Sequence, residues 1–208
     1  MDLKVAQDIA PLAARFFAEV SPRTVALAGG STPRSAYESI ARIKYPWKQT
    51  HVFFGDERCA PVEDPDSNFR MASEAFLSKV PTISHPMTGC DPRAYEAELA
   101  AVMGSGVPRF DMVFLGLGED GHTASLFPND AALEIEDRNV ALVDRPDHRR
   151  MTLTLPVLSA ARTAVFLVSG APKQWALMEL LAGGDIPAAR VRAGRVVVIA
   201  DPSAAGAA

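Results

Sequence analysis

The stretch Phe110–Pro128 (FDMVFLGLGEDGHTASLFP) contains the pattern that decides the fold. Its first six residues form a short, mostly apolar run that ends at Gly116. Such a run is typical of a strand buried on both faces and followed by a turn. Three further segments share this arrangement of an apolar run that ends in glycine: Thr24–Gly30, His51–Gly55 and Thr163–Gly170.

Helical patterns lie between these runs, and Arg195–Ala200 (RVVVIA) is predicted to be the last strand. Strands that alternate with helices indicate an α/β fold: a mostly parallel, twisted sheet covered by helices on both faces. No repeat, linker or shift in composition marks a boundary, so we expect residues 1–208 to form a single domain.

Several local expectations can be tested against the structure. Apolar residues at helical spacing from Leu3 to Val20 predict an opening amphipathic helix. Thr32 and Pro33 are a favourable N-cap and first-turn pair for the next helix. Met151–Leu155 (MTLTL) alternates like an edge strand, and Asp201–Ala208 is expected to be a frayed tail.

Composition excludes several classes of protein. Hydrophobic residues make up 48% of the 208 and the formal net charge is −4, so neither a disordered chain nor a general nucleic-acid surface is indicated. No apolar run approaches the ~20 residues that span a bilayer. The two cysteines, Cys59 and Cys90, match no metal-ligand spacing, and we expect reduced thiols in a cytoplasmic protein.

Four unusual loops follow the predicted parallel strands: Gly29–Pro33, Gly55–Pro61, Gly116–Pro128 and Gly170–Lys173. Ligands of such sheets bind outside the carboxyl ends of the strands. We therefore expect these loops to meet at one binding site.

The first loop, GGSTP, places glycines and hydroxyls before a helix, where free N–H groups and the positive helix end favour a phosphate. Gly30, Ser31 and Thr32 are the candidate phosphate-binding residues, although a plain glycine turn with a threonine cap would produce the same pattern. The Gly-Lys-Ser/Thr ending of a nucleotide-binding loop is missing, which disfavours a nucleoside triphosphate.

The third loop formally matches the dinucleotide pattern G-x-G-x-x-G, but it lies mid-chain and Pro128 interrupts the segment after it. A dinucleotide site should open a long helix in the first βα unit, so nicotinamide and flavin are disfavoured. The loop also contains Asp120-Gly121-His122, a carboxylate and an imidazole at a strand end, which favours catalysis over a structural histidine.

Two cations complete the candidate site. Arg58 follows an apolar strand in Gly55-Asp-Glu-Arg58, where its position favours a role in the site over that of a solvated turn. Lys173 lies in the first turn of a predicted helix, where a cation is unfavourable to the helix dipole. A bound anion would explain this placement, and an exposed lysine on a solvated turn would give the same pattern. Asn68 and Arg70 begin the helix after Arg58 and either add polar contacts or cap that helix.

These motifs resemble those of the bacterial 6-phosphogluconolactonases. The matching segments are GDERCAPVEDPDSNFR (Gly55–Arg70), FDMVFLGLGEDGHTASLFP (Phe110–Pro128) and MTLTLPVLSAARTAVFLVSGAPK (Met151–Lys173), and the resemblance extends over nearly the whole chain. One departure is the amino terminus, which is a few residues shorter than in the family and is expected to lack a leading strand.

The resemblance implies a Rossmann-like sheet and hydrolysis of 6-phospho-D-glucono-1,5-lactone to 6-phosphogluconate, in the oxidative pentose phosphate pathway, with no metal or other cofactor. It further implies His122 as general base and Asp120 as its supporting acid. Arg58 and Lys173 would hold the phosphate or polarise the substrate, with Gly30, Ser31 and Thr32 beside the phosphate.

Two other functions stay open at this point. Related glucosamine-6-phosphate deaminases share the Asp-Gly-His core, but they carry a tyrosine where this chain has Arg58 and an Asn-Glu-Pro ending where it has Ser125–Pro128. A non-catalytic sugar-phosphate sensor would need a DNA-binding module, for which no segment is left over. The only partner expected is the small-molecule lactone, with no nucleic acid or membrane, and a monomer is compatible with the sequence.

Overall fold

The computed structural model describes residues 1–206. Within them, ten strands and six α-helices alternate along most of the chain. The strands are β1 (Asp2–Val5), β2 (Thr24–Leu27), β3 (His51–Phe54), β4 (Asp56–Arg58), β5 (Ile83–Ser84), β6 (Met112–Leu115), β7 (Val140–Asp144), β8 (Arg149–Leu153), β9 (Thr163–Val168) and β10 (Arg195–Ala200). The helices are α1 (Ile9–Val20), α2 (Ser31–Ile40), α3 (Asn68–Ala75), α4 (Pro92–Met103), α5 (Leu155–Ala160) and α6 (Gln174–Ala182).

Seven strands form the main sheet in the order β1-β10-β9-β6-β2-β3-β5. Every neighbouring pair in it is parallel. Strands β6 and β9 are buried at each position, which requires cover on both faces of the sheet centre. The expected α/β fold with a mostly parallel sheet is confirmed.

A second sheet, in the order β4-β8-β7, is antiparallel and was not expected. Strand β8 lies in its centre, so the prediction of an edge strand at Met151–Leu155 was wrong. The alternation instead reflects the two different faces of this small sheet, and Leu155 already begins α5. Because β4 follows β3 after Gly55 alone, the chain passes directly from the main sheet into the small one.

Both chain ends differ from expectation. The chain begins with a strand, β1, which pairs with β10, so an opening helix from Leu3 and a missing leading strand were both wrong. The helical spacing is real only from Ile9 onwards, where Asp8 caps α1. At the other end, Asp201 accepts hydrogen bonds from Ser169 and Ala204. Residues 201–206 are therefore not frayed, while Ala207 and Ala208 lie outside the described residues.

Cys59 and Cys90 form a disulfide, with Cα atoms 5.0 Å apart. The expectation of reduced thiols was wrong because sequence spacing did not reveal that the loop after β4 meets the loop before α4. The bond joins positions 31 residues apart and closes the loop that contains α3.

Candidate active site

An open cleft of about 270 Å³ lies at the carboxyl ends of β2, β6 and β9, beside the small sheet. Residues of three strand-end loops line much of its wall. Its ionisable side chains are those of Asp56, Arg58, His122, Arg150 and Lys173. The strand-end loops meet here because the strands of the main sheet are parallel and their carboxyl ends lie at the same edge.

The loop after β2 forms one wall through close approach of its backbone. A Cβ at Gly29 would lie 1.8 Å from Asn68 Oδ1, so only glycine lets the loop pack against that amide. Gly30, at φ 105°, is the N-cap of α2, and no side chain in the described part of the chain caps the helix. Thr32 is thus inside the helix, not its cap as expected. Gly30, Ser31 and Thr32 all line the cleft, at the helix end that favours anions.

The loop after β6 holds an imidazole against a carboxylate. His122 Nδ1 lies 2.6 Å from Asp120 Oδ1, and the same oxygen accepts the main-chain N–H of His122 at 3.1 Å. A Cβ at Gly118 would lie 2.0 Å from His122 Nδ1, so this glycine makes room for the ring. The Phe127 ring packs on the imidazole with centroids 4.4 Å apart. The orientation of His122 is therefore set from three sides.

The charge on Asp120 fixes which nitrogen of His122 carries the proton. Burial raises the pKa of Asp120, but hydrogen bonds from the His122 main chain and imidazole outweigh it, so this pKa lies below its ordinary value. An ionised carboxylate only accepts hydrogen bonds, so Nδ1 is the protonated nitrogen. Nε2 has no hydrogen-bond partner among residues 1–206, and its lone pair is available in the cleft.

The small sheet supplies Arg58, whose position depends on the buried Glu57 beside it. Glu57 accepts the main-chain N–H groups of Asn68 (2.8 Å) and Phe69 (2.7 Å), which anchors the start of α3. Burial raises the pKa of Glu57, although these hydrogen bonds partly offset the effect. Arg58 in turn donates to the Oδ1 atom of Asn68 at 3.3 Å. Hydrogen bonds thus connect the Arg58 guanidinium to the start of α3 and hold both in position.

Lys173 lies on the opposite wall, after β9. Its Nζ is 4.0 Å from a carboxylate oxygen of Glu119, and 27% of the side chain is exposed. The preceding Gly170 donates its N–H to Asp201, which ties the loop to the end of β10. The loop that contains Lys173 is therefore held by carboxyl-terminal residues that were expected to be a frayed tail.

The structure brings Gly30, Ser31, Thr32, Arg58, His122 and Lys173 to this one cleft. Asp120 stands behind His122, with half of its side chain exposed, and does not line the cleft. Asn68 contributes to the wall, whereas Arg70 pairs with Glu74 on the surface.

Arg150 and Asp56 are cleft residues that sequence reasoning missed. Arg150 is the direct partner of Arg58 in the antiparallel pair β4–β8. The carboxylate of Asp56 accepts a 2.6 Å hydrogen bond from Ser125. The alternation of β8 was a usable signal, since it places Arg150 and Thr152 on one face, but it does not reveal the partner strand.

A possible metal-ligand group within residues 1–206 is Asp64, Asp66 and His148, whose donor atoms lie within 4.8 Å of one another. It sits beside the cleft and none of the three lines it. No helix in the same residues is long and apolar enough to cross a membrane.

Comparisons with known proteins agree with this architecture. Residues 1–199 match the family described as glucosamine-6-phosphate isomerases/6-phosphogluconolactonase. A curated 6-phosphogluconolactonase of Synechocystis is 47% identical over 177 residues, which cover 79% of this chain and 74% of that protein.

Solved structures are similar over nearly the full length. The 6-phosphogluconolactonase of Thermotoga maritima superposes with a TM-score of 0.84 at 29% identity, covering 96% of this chain and 97% of that one. That of Trypanosoma brucei gives 0.86 at 28% identity, covering 99% and 97%. A monomeric glucosamine-6-phosphate deaminase gives 0.84 at 21% identity, a likeness of fold alone. The chain belongs to the glucosamine-6-phosphate isomerase/6-phosphogluconolactonase family.

Proposed function

We propose that this protein is a 6-phosphogluconolactonase, which hydrolyses 6-phospho-D-glucono-1,5-lactone to 6-phosphogluconate, the lactone step of the oxidative pentose phosphate pathway. The observation that carries the proposal is His122, which Asp120 orients and whose Nε2 has no partner within residues 1–206, in a cleft bordered by cations. The relative in Synechocystis and both superposed structures named 6-phosphogluconolactonase support it.

In this reaction His122 is the general base. Nε2 takes a proton from a water molecule, whose oxygen bonds to the lactone carbonyl carbon. The bond from that carbon to the ring oxygen then breaks, and the imidazolium returns its proton to the leaving ring oxygen. Asp120 keeps the proton on Nδ1 and stabilises the imidazolium between the two steps.

The substrate binds mainly through its phosphate. Arg58, Lys173 and the first turn of α2 at Gly30, Ser31 and Thr32 supply positive charge and N–H donors in a protein of net charge −4. The structure places Lys173 directly before α6, as its N-cap residue, and not in the first turn as the sequence indicated. A phosphate bound there compensates both this cation at a helix start and the N-terminus of α2, which no side chain among residues 1–206 caps. We expect unphosphorylated gluconolactone to be a poor substrate for this reason.

We further propose that residues 1–208 act as one catalytic domain, because the buried apolar residues of both sheets belong to one continuous core. No metal or other cofactor takes part in the proposed reaction, since a base, hydrogen-bond donors and a proton return suffice for ester hydrolysis.

The test is lactone hydrolysis by the purified protein on freshly generated substrate, with spontaneous hydrolysis subtracted. We expect turnover of the phosphorylated lactone that is unchanged after exhaustive chelation. A loss restored by zinc or magnesium would refute metal independence. Ammonia release from glucosamine 6-phosphate without lactone hydrolysis would assign the deaminase reaction instead, and binding without turnover would indicate a sensor.

A further inference from the structure

Two arginine side chains lie beside each other on adjacent strands of the small sheet. Arg58 of β4 and Arg150 of β8 are direct antiparallel partners, and such partners project their side chains on the same face. Both side chains line the cleft. Like charges directly opposite each other destabilise a sheet, so the pair has a cost that packing alone does not explain.

The hydrogen bonds within residues 1–206 leave this pair incompletely satisfied. The Nε atoms of both arginines are buried and have no hydrogen-bond partner there. The Arg150 side chain is only 12% exposed, and one of its terminal nitrogens pairs with Asp147. Arg58 donates to the Asp66 main-chain oxygen and to Asn68, and no carboxylate in the described part of the chain forms an ion pair with it. The remaining terminal nitrogens, Nη2 of Arg58 and Nη1 of Arg150, have no hydrogen-bond partner in the described part of the chain either, so an acceptor-rich ligand between the two groups is favourable.

The arginine pair also borders the candidate base without contacting it. The Phe127 ring lies 4.4 Å from the His122 ring and 5.6 Å from the Arg150 guanidinium carbon, measured from its centroid. A ligand in the cleft can therefore place an anionic group at the arginines and a neutral reacting group at the imidazole.

We propose that Arg150 is a specificity-determining residue that binds the substrate phosphate together with Arg58, an inference that rests on the proposed function. A phosphate dianion has enough charge to offset two guanidinium groups, and its oxygens accept hydrogen bonds from both planar forks. Lys173, 4.0 Å from Glu119, is already partly neutralised and plays the lesser part in charge recognition.

The test compares two lactones on matched variants. In Arg150→Gln we expect kcat/KM for the phosphorylated lactone to fall about 10- to 100-fold, the range for loss of a charge-assisted hydrogen bond. The rate on unphosphorylated gluconolactone should change little, so that discrimination between the two shrinks. Arg149→Gln is the control, because Arg149 directly precedes Arg150 in β8, is 54% exposed and pairs with Asp144, and neither residue lines the cleft. Equal losses on both lactones, or no loss on either, would overturn the proposal.

Two further measurements separate the possible failures. Arg150→Lys keeps the charge without the planar fork, so kcat/KM for the phosphorylated lactone should fall less than in Arg150→Gln. If thermal unfolding shows that Arg150→Gln does not fold, Arg150→Lys takes its place in the comparison. If the wild-type protein hydrolyses neither lactone, the proposed function fails, and calorimetric titration with 6-phosphogluconate and gluconate still tests the site. A wild-type preference for the phosphorylated acid that Arg150→Gln removes supports it, and a wild-type protein without preference overturns it.

Discussion

The protein contains two imidazole–carboxylate pairs with the same 2.6 Å contact but different surroundings. In the cleft, His122 Nδ1 meets Asp120, and Nε2 has no partner among the described residues. Directly after β5, at the edge of the main sheet, His85 Nδ1 meets Glu98, and its Nε2 lies 2.9 Å from Nδ1 of His51. The His85 side chain is 8% exposed and stacks on Phe53, whereas that of His122 is 30% exposed.

This difference shows that a carboxylate partner does not by itself make a histidine a candidate base. His85 has both nitrogens engaged, so it cannot take a proton from a water molecule without breaking a hydrogen bond. His122 combines a fixed tautomer with a nitrogen that no described residue engages, in a cleft, which is what general-base catalysis requires.

The largest expected effect comes from removing each imidazole in turn. His122→Ala should lower kcat by about 10²–10⁴-fold, the usual contribution of a general base, and should change KM little. His85→Ala should leave kcat near the wild-type value but lower the free energy of unfolding by about 1–3 kcal/mol, because buried partners lose their hydrogen bonds. Steady-state kinetics and urea unfolding on the same samples measure both quantities.

His122→Asn serves as the control for shape, because an amide keeps hydrogen bonding but takes no proton at neutral pH. A folded His122→Ala protein that retains more than about a tenth of wild-type turnover would remove His122 from the mechanism.

A smaller effect is expected from the two carboxylates. Asp120→Asn should lower kcat, since an amide can donate to Nδ1 and so leave the proton on Nε2. Glu98→Gln should leave kcat near the wild-type value, because Glu98 contacts His85 and not His122. Steady-state kinetics measure both variants, and a wild-type kcat in Asp120→Asn would contradict the orienting role of Asp120.

The smallest expected effect is on the pH dependence of the free energy of unfolding. Burial, followed by the neighbouring His85, lowers the pKa of His51 below its ordinary value. The unfolded chain then binds a proton more readily than the native one, so stability is fully present above the unfolded pKa of about 6.5 and is lost as pH falls below it. The free energy of unfolding, measured by urea denaturation at a series of pH values, should decline more steeply on the acid side in wild type than in His51→Gln. Parallel curves for the two proteins would contradict this role.

Local sequence patterns were sufficient to predict much of the fold. Continuous apolar runs ended by glycine correctly indicated β2, β3, β6 and β9, because a strand covered on both faces needs apolar side chains at every position. Caps were less informative: Asp91 and Ser67 accept main-chain hydrogen bonds at the starts of α4 and α3, but Thr32, the expected cap of α2, lies inside that helix.

The errors arose where pairing between distant segments decides the structure. Leu3 fits the helical spacing, yet it lies in a strand, β1, because β10 offers this segment a parallel edge. The same limit applies to the disulfide, whose cysteines meet only after the chain folds.

By itself, the sequence determined the type of fold and the chemistry-bearing loops, because apolar periodicity, glycine positions and the Asp120-Gly-His122 spacing are local properties. The tertiary structure alone decided that β4 leaves the main sheet to pair with β8, which puts Arg150 opposite Arg58. It also decided that, among the described residues, Nε2 of His122 has no hydrogen-bond partner, while Glu98 and His51 engage both nitrogens of His85. Strand register and hydrogen-bond partners depend on groups that are tens of residues apart, and their mutual positions are set only when the whole core is packed.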